Sequence, residues 1–181
     1  AGFGGQGVLS LGLFVAEAAR LESRFTTWFP SYGPEQRGGA AACSVIISGT
    51  PIGSPVVERP HVLICMNQPS YERFAGTARP GGTVIVDSSV PLNVKAPEGV
   101  RVFRMPAVDL SIRLGSPKSA NTIMLAALAR LGVTGVSEEH LLAARDFSFR
   151  RKPELMESNR ALFRETQAWM EANLPPGQHA F

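Results

Sequence analysis

The stretch Ala1-Gly2-Phe3-Gly4-Gly5-Gln6-Gly7, running without a break into the apolar residues Val8 to Leu21, decides how the rest of this 181-residue chain is read. Gly2, Gly4 and Gly7 stand in the G-x-G-x-x-G spacing, which calls for a tight turn, backbone bare enough for another group to approach, and close helix packing. Such a loop normally follows a buried strand, and no strand precedes Ala1. The sheet is therefore expected to lack its first strand in this numbering, with an N-terminal strand and the initiator methionine lost from a parent chain.

Outward from the loop, Val8 to Leu21 is apolar nearly all round, broken by Ser10, Glu17 and Arg20, as in a helix layered on a sheet. Arg24 to Phe29 reads as a short β-branched and aromatic strand ended by Pro30. Ser31 to Gly39 is too rich in glycine and proline for regular structure. Strand chemistry returns at Ala42 to Ser48, at the continuously apolar His61 to Met66, at Thr83 to Val86 and at Val100 to Phe103. Helices are expected from Pro69 to Ala78 after Asn67, from Pro106 to Leu114, from Asn121 to Leu131, from Ser137 onward and from Glu154 to Ala172.

Strand and helix alternate, so the expected fold is α/β: a three-layer α/β/α arrangement with a Rossmann-like, mostly parallel sheet. Residues 1–174 form a single domain and residues 175–181 a flexible C-terminal tail. Right-handed crossovers put the glycine loop at the carboxyl edge of the sheet, where ligands of such folds bind.

Composition narrows the function. A chain of this length buries roughly 70% of its unfolded surface and needs no disulfide or metal staple. Charged residues make up 18% and hydrophobic ones 44% of the chain, which fits either a large core or a subunit with an apolar interface. A net charge of +3 without a basic stripe does not point to nucleic acid. Arg145, Arg150, Arg151 and Lys152 read as a solvated helix end. Cys43 and Cys65 lie in apolar runs, as buried free thiols of a reducing cytoplasm do, and His61, His140 and His179 assemble no metal site by spacing. There is no apolar run of membrane-spanning length.

The opening loop admits three readings. Its glycines could serve only the turn and helix packing; they could cradle a dinucleotide in a free-standing nicotinamide or flavin oxidoreductase; or the loop could meet a different ligand or partner. The dinucleotide reading lacks an acid at the end of the second strand to take a ribose hydroxyl, Glu22 falling before that strand. Gln6 places a directional amide beside bare backbone, where it could face a ligand or a partner. Tyr32, Gly33, Glu35, Arg37, Gly38 and Gly39 put an aromatic, a carboxylate and a guanidinium on a glycine-flanked turn, with Arg37 suited to paired oxygens. Asp87, followed by two serines, reads as a turn or helix cap, and no catalytic set is recognisable.

Gly2-Phe3-Gly4-Gly5-Gln6-Gly7-Val8, then Ser31-Tyr32-Gly33-Pro34-Glu35-Gln36-Arg37-Gly38-Gly39, then Val45-Ile46-Ile47-Ser48 with Ile52 and Ser54-Pro55, together resemble the gamma subunit of 2-oxoacid:ferredoxin oxidoreductases. Pro80-Gly81-Gly82, Asp87-Ser88, Pro106-Ala107, Gly115, Asn121 and Asn159 extend the likeness over nearly the whole chain, with Ser116 departing from an asparagine. The resemblance implies a cytoplasmic complex that oxidatively decarboxylates a 2-oxoacid with coenzyme A to an acyl-CoA, carbon dioxide and reduced ferredoxin. It implies thiamine diphosphate, Mg and iron–sulfur clusters on alpha, beta and ferredoxin-like partner subunits, with no cofactor held by this chain alone and no catalytic residue on it. Gly2, Gly4, Gly5, Gln6 and Gly7, with the Tyr32 to Gly39 loop, would face a neighbouring subunit or coenzyme A. Pyruvate, 2-oxoglutarate and branched-chain oxoacids all fit, with a slight preference for 2-oxoglutarate.

Overall fold

In a computed structural model, which describes residues 1–32, 39–93 and 95–174, the apolar runs become strands and helices in the order the sequence suggests. A two-residue strand β1 (Gly2–Phe3) leads through the glycine loop into α1 (Val8–Leu21), followed by β2 (Phe25–Tyr32), β3 (Ala40–Ser48) and β4 (Val62–Cys65). Then come α2 (Gln68–Phe74) with a 3-10 turn at Ala75–Thr77, β5 (Thr83–Asp87), β6 (Arg101–Met105), α3 (Ala107–Arg113), α4 (Ala120–Leu131), α5 (Glu138–Ser148) and α6 (Pro153–Asn173). Local chemistry sets several ends. The Asn67 side chain accepts from Ser70 N at 2.9 Å to start α2, Ser137 Oγ accepts from His140 N at 3.3 Å to start α5, and Gly132, at φ 62°, closes α4.

The strands fall into two groups. β4, β5 and β6 pair in parallel, as short apolar strands joined through helix or long loop should, while β1, β3 and β2 pair antiparallel. The antiparallel half departs from a mostly parallel sheet for a topological reason: parallel neighbours need a crossover of about a dozen or more residues, and β2 and β3 follow each other too closely for one. The strand expected to stop at Pro30 continues through it to Tyr32, with Pro30 opposite Cys43. β2 is the outer strand of its group, where a residue without an N–H costs no ladder bond.

Ala1 joins the two groups. Its amino group donates to Ile64 O at 2.7 Å and its carbonyl accepts from Met66 N at 2.9 Å, a parallel pairing with β4, while Gly2 and Phe3 pair antiparallel with Ala41 and Ala40. One side of the sheet carries the larger core, in which Val8, Leu11, Phe14 and Val15 of α1 and Ile123, Met124 and Leu128 of α4 meet Ile85, Phe103 and Met105. The other side carries Leu63, Cys65, Val84 and Val86 under Tyr71 and Ala75 of the α2 region. Helices thus lie on both sides, giving the three layers expected from the alternation.

One charged side chain sits inside the larger core. Arg145 is 2% exposed, lies 4.7 Å from the Phe149 ring centre and 5.5 Å from that of Phe14, and donates from Nε to Thr122 Oγ1 at 2.9 Å. Burial lowers its pKa to about 10, so it stays charged at neutral pH. The expected solvated helix end therefore loses one member: α5 turns position 145 inward, and two aromatic faces with one hydroxyl receive the guanidinium.

Helix α1 crosses the hairpin at Gly12, where an added Cβ would overlap Cys43 Sγ and come within 3.3 Å of the Trp28 ring. Gly12→Ala should lower stability by about 1–3 kcal/mol, because the overlap outweighs the helix-propensity gain. An unchanged or raised urea midpoint would show that α1 can ride away from the hairpin freely.

Candidate functional site

The glycine loop owes its shape to three side-chain amides. Gln6 Oε1 accepts from Phe3 N at 2.7 Å, and Gln6 Nε2 donates to Met66 O at 3.0 Å, tying the loop to the end of β4. Asn67 Nδ2 approaches Gln6 Oε1 at 3.4 Å, and Asn121 Nδ2 donates to Gly7 O at 3.4 Å from the first turn of α4. The Gln6 amide, which the sequence left free to face a ligand or partner, is thus spent within the chain. Its neighbours Asn67 and Asn121 take part in a constellation that spacing alone does not assemble. Asn121 leaves one trace in the sequence, a lone amide at the head of a nearly uniformly apolar helix.

Each glycine of the loop has its own reason. Gly2 is buried, and a Cβ there would lie 2.6 Å from Gln6 Oε1 and 2.8 Å from Val8 Cγ2. Gly4 N donates to Gly39 O at 2.9 Å, which binds the loop to the start of β3. Gly7 caps α1 at φ 75°, and a Cβ there would meet the Asn121 amide at 2.6 Å. Gly5, at φ 96°, has nothing within 4 Å of where a Cβ would stand. Gly7 is thus fixed by packing within the chain, whereas Gly5 combines a left-handed backbone with open surroundings.

The loop and the hairpin end share one hollow of about 610 Å³, lined by Phe3, Gly5, Ser10, Tyr32, Gly39 and Ala41 among others. Tyr32 is 67% exposed and Phe3 38%. The N-terminus of α1 opens on the hollow, and among the described residues it has no capping side chain and no acid in its first turn, so the positive end of its dipole faces the hollow. The structure thus brings Gly2, Gly4, Gly5, Gln6 and Gly7 together with Tyr32 and Gly39. Gly33, Glu35, Arg37 and Gly38 lie outside the described residues.

Other sequence candidates are committed elsewhere. Glu22 accepts from Ser137 N at 2.8 Å and lies 3.1 Å from His140 Nδ1; the Ser137 amide, followed by His140, lowers its carboxyl pKa. The one acid near the right count for a ribose hydroxyl is therefore part of the α1–α5 contact, and the nicotinamide or flavin reading is not supported. Asp87 is 1% exposed; it accepts from Ser89 N and from Val108 N, each at 3.0 Å, capping the turn after β5 and the start of α3. Cys65 is fully buried, and burial raises its thiol pKa to about 11; burial also raises that of Cys43. Among the described residues no group of three His, Cys, Asp or Glu could hold a metal ion, and no helix is long and apolar enough to cross a membrane.

Fold and site define a mixed α/β domain with an open hollow lined by the glycine loop, the start of α1, and Phe3 and Tyr32. Residues 1–169 match the pyruvate ferredoxin/flavodoxin oxidoreductase family, and the chain belongs to it. It is 44% identical over 174 residues to the ketoisovalerate oxidoreductase subunit VorA of Methanothermobacter marburgensis, covering 96% of this chain and 36% of VorA. It is 38% identical over 133 residues to the 2-oxoglutarate synthase subunit KorC of Methanocaldococcus jannaschii, covering 72% of this chain and 71% of KorC. The chain thus spans only about a third of the length of VorA.

Solved structures agree. The gamma subunit of a keto/oxoacid ferredoxin oxidoreductase from Geobacter sulfurreducens superposes with a TM-score of 0.72 at 29% identity, over 94% of this chain and 95% of that one. The 2-oxoglutarate:ferredoxin oxidoreductase of Magnetococcus marinus, solved with 2-oxoglutarate, coenzyme A and succinyl-CoA bound, gives 0.83 at 25% identity, over 94% of this chain and 30% of that one.

Gln6→Ala should cost about 1–3 kcal/mol of stability, because it leaves the Phe3 N–H and the Met66 carbonyl without their partner. Urea unfolding checks the magnitude, and amide exchange at Phe3 checks the place. A loss of stability with unchanged Phe3 exchange would locate the effect away from the loop.

Proposed function

We infer that this chain is the gamma component of a cytoplasmic 2-oxoacid:ferredoxin oxidoreductase, a complex that converts a 2-oxoacid and coenzyme A to an acyl-CoA and carbon dioxide while two electrons pass to ferredoxin. The observation that carries the reading is the family match along residues 1–169, shared with relatives named as subunits of such enzymes. The alpha, beta and ferredoxin-like partners hold thiamine diphosphate, Mg and the iron–sulfur clusters in this reading. Thiamine diphosphate supplies the decarboxylation chemistry when bound there. This chain contributes no catalytic side chain; it closes and shapes the neighbouring site.

The hollow suits that role. Gly5 offers bare backbone, the start of α1 offers the positive end of its dipole, and Phe3 and Tyr32 offer apolar area at little entropic cost. Gly2, Gly4, Gln6 and Gly7 hold this surface in shape, Tyr32 and Gly39 line it, and a partner subunit or coenzyme A is its counterpart in this reading, with Gly33, Glu35, Arg37 and Gly38 assigned to the same contact from the sequence. The slight preference for 2-oxoglutarate gives way to a branched-chain 2-oxoacid, because the likeness to the ketoisovalerate enzyme is both higher and longer than that to the 2-oxoglutarate enzyme.

Reconstitution with alpha and beta partners, assayed with coenzyme A, ferredoxin and a panel of 2-oxoacids, tests both parts. The isolated chain should be inert and the complex should turn over ketoisovalerate best. Turnover by this polypeptide alone would end the subunit reading, and a preference for 2-oxoglutarate would overturn the substrate assignment only.

In the same complex Arg37→Ala should weaken assembly or raise KM for coenzyme A several-fold, the loss expected when a guanidinium no longer meets an anion or carboxylate. Unchanged assembly and kinetics would assign Arg37 to the solvated surface.

A further inference from the structure

Helix α5 turns Leu141, Ala144 and Arg145 into the core. On its other side Glu139, Ala143 and Phe147 follow at intervals of four residues, with Arg150 three further on, just past the helix end, and all four are exposed. Residues three and four apart are neighbours on a helix, so these four form one stripe. Its chemistry runs from an acid through a methyl group and an aromatic ring to a guanidinium.

The charged ends of the stripe are not spent within the fold. Asp146, beside it, is held by Arg160 at 2.6 Å, and Glu138 accepts from Gln167 at 2.7 Å. Among the described residues Glu139 and Arg150 enter no ion pair. Arg150 is nonetheless fixed in place: its guanidinium lies 4.1 Å from the Phe147 ring centre, and its Nη1 donates to Phe147 O at 2.9 Å. A guanidinium already held this way gives up little freedom when it meets a carboxylate.

An acid at the start of a helix and a base at its end also suit the helix's own dipole. That leaves Phe147 unexplained. Its ring is 65% exposed, and among the described large apolar side chains only Tyr32 is more so. One turn earlier stands Ala143, whose side chain ends at Cβ, so a knob and a hole lie side by side on the same stripe.

The stripe matches its own reverse. Two copies of α5 can be set antiparallel about a two-fold axis midway between Ala143 and Phe147, and each Phe147 then lies over the partner's Ala143. Glu139 is four residues before Ala143 and Arg150 three after Phe147, so each Arg150 comes level with the partner's Glu139. A parallel arrangement would set acid on acid and base on base, with Glu138 on one side and Arg151 and Lys152 on the other adding to the repulsion.

We propose that this face of α5 is a self-association surface whose occupant is a second copy of the chain, packed antiparallel on it. Two Phe147 rings on two Ala143 positions form its centre, flanked by two Glu139–Arg150 pairs. A surface one helix wide lies at the low end of specific interfaces, so the dimer is a weak one. The inference is independent of the oxidoreductase reading.

Sedimentation of the chain, followed up to about 1 mM, reads the association, and urea unfolding reads the fold of each variant. The unaltered chain should pass from monomer to dimer as concentration rises. Phe147→Ala, Glu139→Arg and Arg150→Glu should each weaken dimerisation about ten-fold, the charge reversals acting at both symmetric pairs. Their urea midpoints should move only slightly, because all three positions are exposed. Mixing Glu139→Arg with Arg150→Glu in equal amounts should restore association between the two, since one copy then carries two bases and the other two acids on the stripe. A chain monomeric throughout would overturn the proposal in favour of solvent or an unlike partner on this face. A dimer indifferent to Phe147→Ala, or a mixture that associates no better than either variant alone, would overturn the assignment to α5.

Discussion

A three-residue length of backbone is what joins the two groups of strands in this domain. Ala1 holds β4 through Ile64 O and Met66 N, and Gly2 and Phe3 hold β3 through Ala41 and Ala40. Among the described residues no other strand pairing joins the antiparallel hairpin to the parallel sheet, so the two strand groups are registered there. The glycine loop begins where this bridge ends. Its position is therefore set by both sheets at once, which is why a short, bare segment can present a defined surface.

From that bridge the order of dependence runs outward. Gln6 fastens the loop to Met66, and Asn121 fastens the cap of α1 to α4. Helix α4, with Ile123, Met124, Leu125, Ala126 and Ala127 all fully buried, is the centre of the larger core, so the loop is anchored to the most deeply packed helix. Arg145 reaches the same helix through Thr122. A buried guanidinium held by two aromatic rings and a hydroxyl is costly to misplace, and it fixes α5 against α1 and α4. What remains facing outward is Gly5, the N–H groups at the start of α1, and the rings of Phe3 and Tyr32.

Much of this was legible beforehand, because it is written in local chemistry. The bounds of α1, the Asn67 and Ser137 caps and the Gly132 stop depend on neighbours a few residues away. The pairing of the glycine loop with the Tyr32 region was legible as two motifs, and the structure brings Tyr32 and Gly39 to the same hollow as the loop. The direction of Gln6, the burial of Arg145 and the commitment of Glu22 to His140 and Ser137 were not legible. Each depends on a partner between 23 and 118 positions away in the chain. No periodicity encodes such a meeting.

The sequence alone therefore determined the family, the succession of strands and helices, and the presence of a bare glycine turn before an apolar helix, since these follow from side-chain identity over short spans. Only the tertiary structure decided that the sheet is mixed, that Pro30 continues an outer strand, and that Gln6 turns inward while Gly5 turns out. Those outcomes rest on which backbone edges lie side by side and which amides find carbonyls across the fold, and such contacts exist only once the two sheets have come together on Ala1.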